Sequence, residues 1–187
     1  MRPICRSLAK AGVTANQVTI AAIVLSFALG AALVLFPGQR WPLIAIPIGL
    51  FVRMALNAID GMLAREHDMQ TALGGVLNEL GDVVSDAALY LAFAFISGLS
   101  APLVVLVVVL AMTSEMAGVV AVQVGASRRY DGPMGKSDRA FVFGLLALLF
   151  ACGVEPGQWS TIVLVGVTAL LLRTIFNRAR NALRELG

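Results

Sequence analysis

Long apolar runs follow one another along the whole chain, parted only by short polar or Pro/Gly joins. A bilayer core is spanned by about 20 apolar helical residues, and lipid offers no partner to an unbonded peptide group. Six stretches are read as spans: Ala15–Phe36, Trp41–Arg65, Leu73–Ile96, Ala101–Val124, Ser137–Ala151 and Trp159–Asn177. Pro37-Gly38, Gly98 with Pro102, Gly132-Pro133 and Pro156-Gly157 mark the joins. The fifth run is short. Charged residues make up 13% of the chain, against roughly a quarter in soluble domains, too few to cover a water-facing surface. The expected class is an all-α integral membrane protein with six transmembrane helices. It forms a single domain over residues 1–187, with Arg2–Ala11 as a short N-terminal interfacial helix.

The basic residues set the orientation. With the N-terminus inside, the cytoplasmic side holds Arg2, Arg6, Lys10, Arg65, Arg128, Arg129, Lys136, Arg139, Arg178, Arg180 and Arg184, and the other side holds Arg40. Positive charge collects on cytoplasmic loops, so both termini are expected in the cytoplasm of a multi-pass protein of a bacterial inner membrane. These charges sit at the ends of apolar runs, which points to membrane lipid headgroups and not to nucleic acid. The first run is long enough to span, and it is read as part of the mature chain, not a cleaved signal. Cys5 and Cys152 have neither metal-ligand spacing nor a disulfide framework.

Acidic and amide residues gather where the second and third spans meet the cytoplasm: Asn57, Asp60, Asn78, Glu79, Asp82 and Asp86. A carboxylate at membrane depth costs roughly 2.5–3.5 kcal/mol, so these side chains are expected to share an interior. Asn57 and Asp60 lie one helical turn apart; Asn78, Asp82 and Asp86 follow at successive turns of the next helix. Oxygen ligands from two helices suit Mg2+ or Mn2+. Gly61, Gly74, Gly75 and Gly81 leave room beside them. A polar network that only locks helices, or an ion pathway, would use the same residue types.

The segment from Asn57 to Asp82 resembles the signature of the CDP-alcohol phosphotransferase family, D-x2-D-G-x2-A-R-x8-G-x3-D-x3-D. The spacing matches throughout, and Asp60, Gly61, Ala64, Arg65, Gly74 and Asp82 are kept. Thr14-Ala15-Asn16-Gln17-Val18-Thr19 is similar to the T-P-N-x-x-T that opens such proteins, with Ala15 for proline. The resemblance implies transfer of a phosphatidyl group from a CDP-lipid, such as CDP-diacylglycerol, to a small alcohol, with release of CMP. It implies that Asn57, Asp60, Asn78 and Asp82 stand at the four aspartate positions of a two-metal site. Asp82 would be the base that takes the acceptor's proton. Asn16, Gly61, Ala64, Arg65 and Gly74 would line the CDP pocket. A homodimer is expected on the same ground.

Two signature aspartates are asparagine here, Asn57 and Asn78. Each keeps a carbonyl oxygen but no charge, and hard cations respond to ligand charge. Three outcomes stay open: one metal or weak binding, recruitment of Glu79 or Asp86, or a lipid or nucleotide binder without catalysis. A transporter is the remaining alternative, although inverted repeats and broken helices are not evident. The loop Arg128–Arg139 brings Arg128, Arg129, Lys136 and Arg139 together beside Gly135-Lys136-Ser137. Its plain reading is charge anchoring at the membrane surface. Its functional reading is an anion pocket at a helix start, which favours glycerol 3-phosphate or an inositol phosphate as acceptor. Arg53 and Glu115 lie at similar depth, so an ion pair between them is expected, with a place for Glu115 in the polar cavity as the alternative. Arg173 is expected to face the cavity or to reach back to the interface. His67 is expected in solvent, and Trp41 and Trp159 at the outer interface.

Overall fold

A computed structural model describes residues 2–187. The order is α1 Arg2–Lys10, α2 Ala15–Leu35, α3 Arg40–Glu66, α4 Ala72–Leu91, a 3₁₀ turn at Ala92–Phe95, α5 Ala101–Gln123, α6 Lys136–Ala151 and α7 Gln158–Leu186. No strand occurs among the described residues.

Local chemistry sets the helix starts. Thr14 caps α2: its hydroxyl accepts from Gln17 N–H, and the Gln17 side chain accepts from Thr14 N–H. Thr71 caps α4 by accepting from Gly74 N–H at 2.9 Å. Asp138 caps α6, its Oδ2 accepting from Gly135 N–H at 2.8 Å.

Four helices, α2, α3, α5 and α7, are long and apolar enough to cross a membrane. The six expected runs are all helical, but α6 has only 16 residues and α4 carries Glu79, Asp82 and Asp86. Side chains that face away from the bundle are apolar: Phe51 is 75% exposed, Ile162 71% and Phe141 70%. Only a hydrocarbon solvent makes such surfaces inexpensive. The chain is an integral membrane protein.

Neighbouring helices form the pairs α2–α3, α2–α4, α4–α5, α5–α7 and α3–α6. Small residues permit the close crossings. A Cβ on Gly30 would meet Ala88 O at 2.5 Å, and one on Gly81 would meet Ile23 Cδ1 at 2.6 Å, so α2 and α4 touch backbone to backbone. Away from the polar residues, Tyr90 stacks on Phe143 at 4.3 Å between centroids, and Phe93 meets the same ring edge-on. These rings tie α4 and the turn after it to α6. At the opposite end, α1 packs on α3, with Cys5 buried beside Leu63 and Ile59.

Candidate active site

The polar residues of α2, α3 and α4 converge at the end of the bundle where α3 stops and α4 begins. Asp60 is buried, 5% exposed, and its Oδ2 accepts from Thr19 Oγ1 at 2.8 Å. The threonine that ends the Thr14–Thr19 motif therefore reaches the first acid of the cluster. Asn57 Nδ2 donates to Asp82 Oδ1 at 3.1 Å. Lys136, at the first position of α6, pairs with the same Asp82 oxygen. Arg53 Nη2 donates to Asp82 backbone O at 3.2 Å and so holds that turn of α4.

Two clefts meet at Asn78. The first, about 450 Å3, runs between α2, α3 and the start of α4, past Asn16, Asp60, Gly61, Ala64, Arg65 and Gly74. Its floor is open where side chains are missing. A Cβ on Gly61 would sit 3.3 Å from Arg65 Nη2, and one on Gly74 would sit 2.7 Å from Asn16 Oδ1. The amide of Asn16 and the guanidinium of Arg65 thus lie over glycines. All five residues expected to line a nucleotide pocket border this one cleft.

The second cleft, about 290 Å3, lies between α4, α5, the loop before α6 and α7. Ion pairs fill its walls. Asp86 takes Arg53 Nη1 on Oδ1 at 2.5 Å and Arg139 Nη2 on Oδ2 at 2.9 Å. Glu115 takes Arg139 on Oε1 at 3.0 Å, and Arg178 and Arg128 on Oε2 at 3.2 and 3.3 Å. Arg128 also binds both oxygens of Glu79 and lies over the Tyr130 ring at 4.8 Å. Burial works against the Arg128 charge, but hydrogen bonding to Glu79 and that residue's charge raise its pKa above the ordinary value. Arg129 bridges Asp131 and Glu185 at 2.9 and 2.6 Å. The Asp131 carboxyl sits below its usual range. Partial desolvation opposes this, and hydrogen bonding from Asn181 and the charge of Arg129 overcome it.

Several expectations change. Arg53 and Glu115 do not pair, because α3 turns Arg53 toward α4 while Glu115 faces α6 and α7. Asp86 is not free to join a metal set, since two guanidinium groups hold its two oxygens. Glu79 is likewise engaged, by Arg128. Asn57 turns its amide to Asp82. Arg139 is not a free anion-binding cation: it is 1% exposed, and its one nitrogen without a partner, Nη1, is enclosed as well. At the start of α6, Asp138 Oδ2 accepts from the Gly135 N–H, so a carboxylate stands where the expected anion pocket would begin. Arg173 is exposed and His67 half-buried. Sequence reasoning gave Arg178 only a topogenic role, yet it is 2% exposed and bonds Ser114 O at 2.5 Å. The stripe Leu171, Thr174, Arg178, Ala182, all buried on one face of α7, is the pattern that signals it.

The profile of the family described as CDP-alcohol phosphatidyltransferase matches residues 12–180. The chain belongs to that family. It is 46% identical over 183 residues to the inner membrane protein YnbA of Escherichia coli K12, covering 98% of this chain and 90% of that protein. It is 30% identical over 175 residues to the phosphatidylinositol phosphate synthase of Mycolicibacterium smegmatis, covering 90% of this chain and 77% of the synthase. The fold matches the phosphatidylinositol phosphate synthase of Mycobacterium tuberculosis in complex with manganese and citrate, with a TM-score of 0.81 at 20% identity over 99% of this chain and 90% of that one. The form of that enzyme with CDP-DAG bound matches with a TM-score of 0.74 at 23% identity, over 98% and 91% of the two chains.

A divalent cation can be tested against the donors present. Asp60 and Asp82 supply carboxylates, and Asn57 and Asn78 stand at the first and third of the four signature positions with amide oxygens. Such an all-oxygen set fits a hard cation of the Mg2+ or Mn2+ kind. No group of three or more His, Cys, Asp or Glu side chains is placed to hold a metal among the described residues. The donors fit one ion better than two.

Proposed function

We propose that this chain transfers the phosphatidyl group of CDP-diacylglycerol, or a similar CDP-lipid, to a small alcohol and releases CMP. The observation that carries the reading is the first cleft, where Asn16, Gly61, Ala64, Arg65 and Gly74 border one space that ends at Asp60. In this reading the cytidine and its diphosphate lie over Gly61 and Gly74, and Arg65 takes a phosphate oxygen. Asp60 and Asp82 would hold a Mg2+ or Mn2+ ion, and the amide oxygens of Asn57 and Asn78 would add neutral donors. When bound, the ion would neutralise diphosphate charge and stabilise the departing phosphate of CMP.

The acceptor hydroxyl enters from the second cleft and meets the first at Asn78. Its oxygen forms a bond to the phosphorus that carries diacylglycerol. The bond from that phosphorus to the bridging oxygen breaks, and CMP leaves with the bridging oxygen. The hydroxyl proton passes to Asp82. Lys136, paired with Asp82, fixes where that carboxylate points. Much of the rate enhancement in such transfers comes from positioning and charge neutralisation, which suits a rigid, preorganised pair of clefts.

The same reading places α4 and α6 as the third and fifth of six membrane segments. They are sheltered by the four longer helices, so that α4 keeps its acids away from lipid. Arg and Lys asymmetry supports cytoplasmic termini and a cytoplasmic active site, and the likeness to an inner membrane protein supports that membrane. The homodimer implied by the resemblance goes with it.

The test is CMP release from CDP-diacylglycerol by purified protein in detergent, with Mg2+, Mn2+ or EDTA and a panel of alcohols, beside the Asp82→Asn variant. Metal-dependent release that needs an acceptor and is lost in the variant is expected. CDP-lipid binding without release under any condition would make the chain a CDP-lipid-binding protein and would give Asn57 and Asn78 the decisive part.

A further inference from the structure

Basic residues around the second cleft suggest an anionic acceptor only while their partners are ignored. Each one is already against a carboxylate of this chain. Arg128 is held by Glu79 and Glu115. Arg139 is held by Asp86 and Glu115. Arg178 is held by Glu115, and Lys136 by Asp82. Arg129 is turned away to Asp131 and Glu185. Even the start of α6, the remaining device for an anion, carries a carboxylate, Asp138, whose Oδ2 accepts from the Gly135 N–H just before the helix. Among the residues lining the cleft, five carboxylates face four cations.

We propose that the second cleft takes an acceptor without an anionic group, a small uncharged polyol. This inference rests on the phosphatidyl-transfer reading above and adds the acceptor's chemical class. A phosphate on the acceptor would have to displace Glu79 or Glu115 from a guanidinium, leaving that carboxylate beside a dianion. Like charges placed together in a desolvated site are strongly disfavoured. A free ammonium meets the reverse problem, since the acids are already neutralised. Hydroxyl groups can donate to carboxylate oxygens and accept from guanidinium N–H groups without breaking an ion pair. The cleft, at about 290 Å3, has room for a molecule of glycerol or inositol size. The two relatives named as phosphatidylinositol phosphate synthases carry a phosphate in the product of their name. By this inference the present chain differs from them in the class of acceptor it takes.

The test joins turnover to binding. CMP release is measured with glycerol, myo-inositol, glycerol 3-phosphate, inositol phosphate and serine as acceptors. A polyol is expected to exceed its phosphorylated form by at least about tenfold. Glu79→Gln frees Arg128 from its more exposed partner, spares Glu115, the shared counter-ion of buried Arg139 and Arg178, and is expected to close that ratio by about tenfold. Calorimetric titration of glycerol 3-phosphate into the CDP-lipid-free protein needs no turnover. No saturable binding is expected for the wild type, and saturable binding is expected for Glu79→Gln. Preference for a phosphorylated acceptor or for serine, saturable glycerol 3-phosphate binding to the wild type, or no change in Glu79→Gln would each overturn the inference while leaving phosphatidyl transfer standing. If no acceptor gives CMP, the transfer reading fails, and the titration still decides whether the cleft rejects a phosphate.

Discussion

On one side of Asn78 the cleft ends in Arg65, which makes no ion pair among the described residues. On the other side every guanidinium is already against a carboxylate. The two clefts are built from similar residue types, but one leaves its cation for a ligand and the other satisfies its cations internally. Glycines make the first: Gly61 and Gly74 give up side-chain volume, and Arg65 and Asn16 reach over the space. Charged side chains from several elements make the second, and they also bind those elements together. On the proposed function, a cleft that takes a charged diphosphate keeps positive charge unspent. A cleft whose walls cross-link α4, α5, α6 and α7 spends it on rigidity.

The comparison breaks most sharply at Glu115. Glu115→Ala would leave Arg139 and Arg178, both almost fully buried, short of their shared counter-ion. Removing one partner of a buried ion pair costs about 3–5 kcal/mol. The variant is expected to lose most of its thermal stability in detergent, or to fail to accumulate as a monodisperse protein. A melting temperature within a degree or two of wild type would show that the network is not what joins these helices.

On the open side, Asp60→Asn tests charge alone. The amide can still accept from Thr19 Oγ1, so the fold is expected to persist. With one of two carboxylates gone from the metal donors, CMP release is expected to fall roughly a hundredfold to a thousandfold. Mn2+ binding, followed by electron paramagnetic resonance, should weaken with it. Turnover near wild type would remove Asp60 from the chemistry.

Gly74→Ala has a smaller effect, and its sign separates binding from folding. The added methyl would sit 2.7 Å from Asn16 Oδ1 and push that amide off the cleft floor. Alanine in the first turn of α4 favours the helix by up to about 1 kcal/mol, so stability should not fall. KM for the CDP-lipid is expected to rise about tenfold with little change in kcat. Lower stability with an unchanged KM would place Gly74 in packing instead.

The open cleft was largely legible in the sequence because the end of α3, the loop after it and the first turns of α4 carry most of it, with α2 adding Asn16 and Thr19. Asn57 to Asp82 is continuous in sequence, and residues a turn apart share a face. The closed cleft was not legible. Its pairs join α3 to α4, α4 to α6, and α5 to α6 and α7, and each depends on how a helix is rotated about its axis. Arg53 and Glu115 agree in depth but not in direction. The loop before α6 hides more: Met134 N–H bonds Thr174 Oγ1 at 3.0 Å, and Gly132, at φ 128°, packs where a Cβ would meet Thr174 Cγ2 at 2.6 Å. Only the folded loop shows that Arg128 points inward across α5. Its guanidinium occupies the space left by Gly118, a glycine that carries no motif. Apolar length predicted the helices well, and it fell short only at α4 and α6, where function and a short span interrupt the pattern.

Asn57 lines the open cleft, and giving it a charge is the mildest prediction. In the metal-free protein Asn57 Nδ2 donates to Asp82 Oδ1. Asn57→Asp removes that donor and sets a second carboxylate against Asp82, so the metal-free protein should lose about 1 kcal/mol of stability. Mn2+ reverses the sign, because the added charge now faces a cation. The variant is therefore expected to be less stable than wild type in EDTA, to recover or exceed it in Mn2+, and to bind Mn2+ several-fold more tightly. A variant equally destabilised with and without Mn2+ would mean that position 57 does not face the ion. The asparagine would then serve only to aim Asp82, and the open cleft would be held by Asp60 and Asp82 alone.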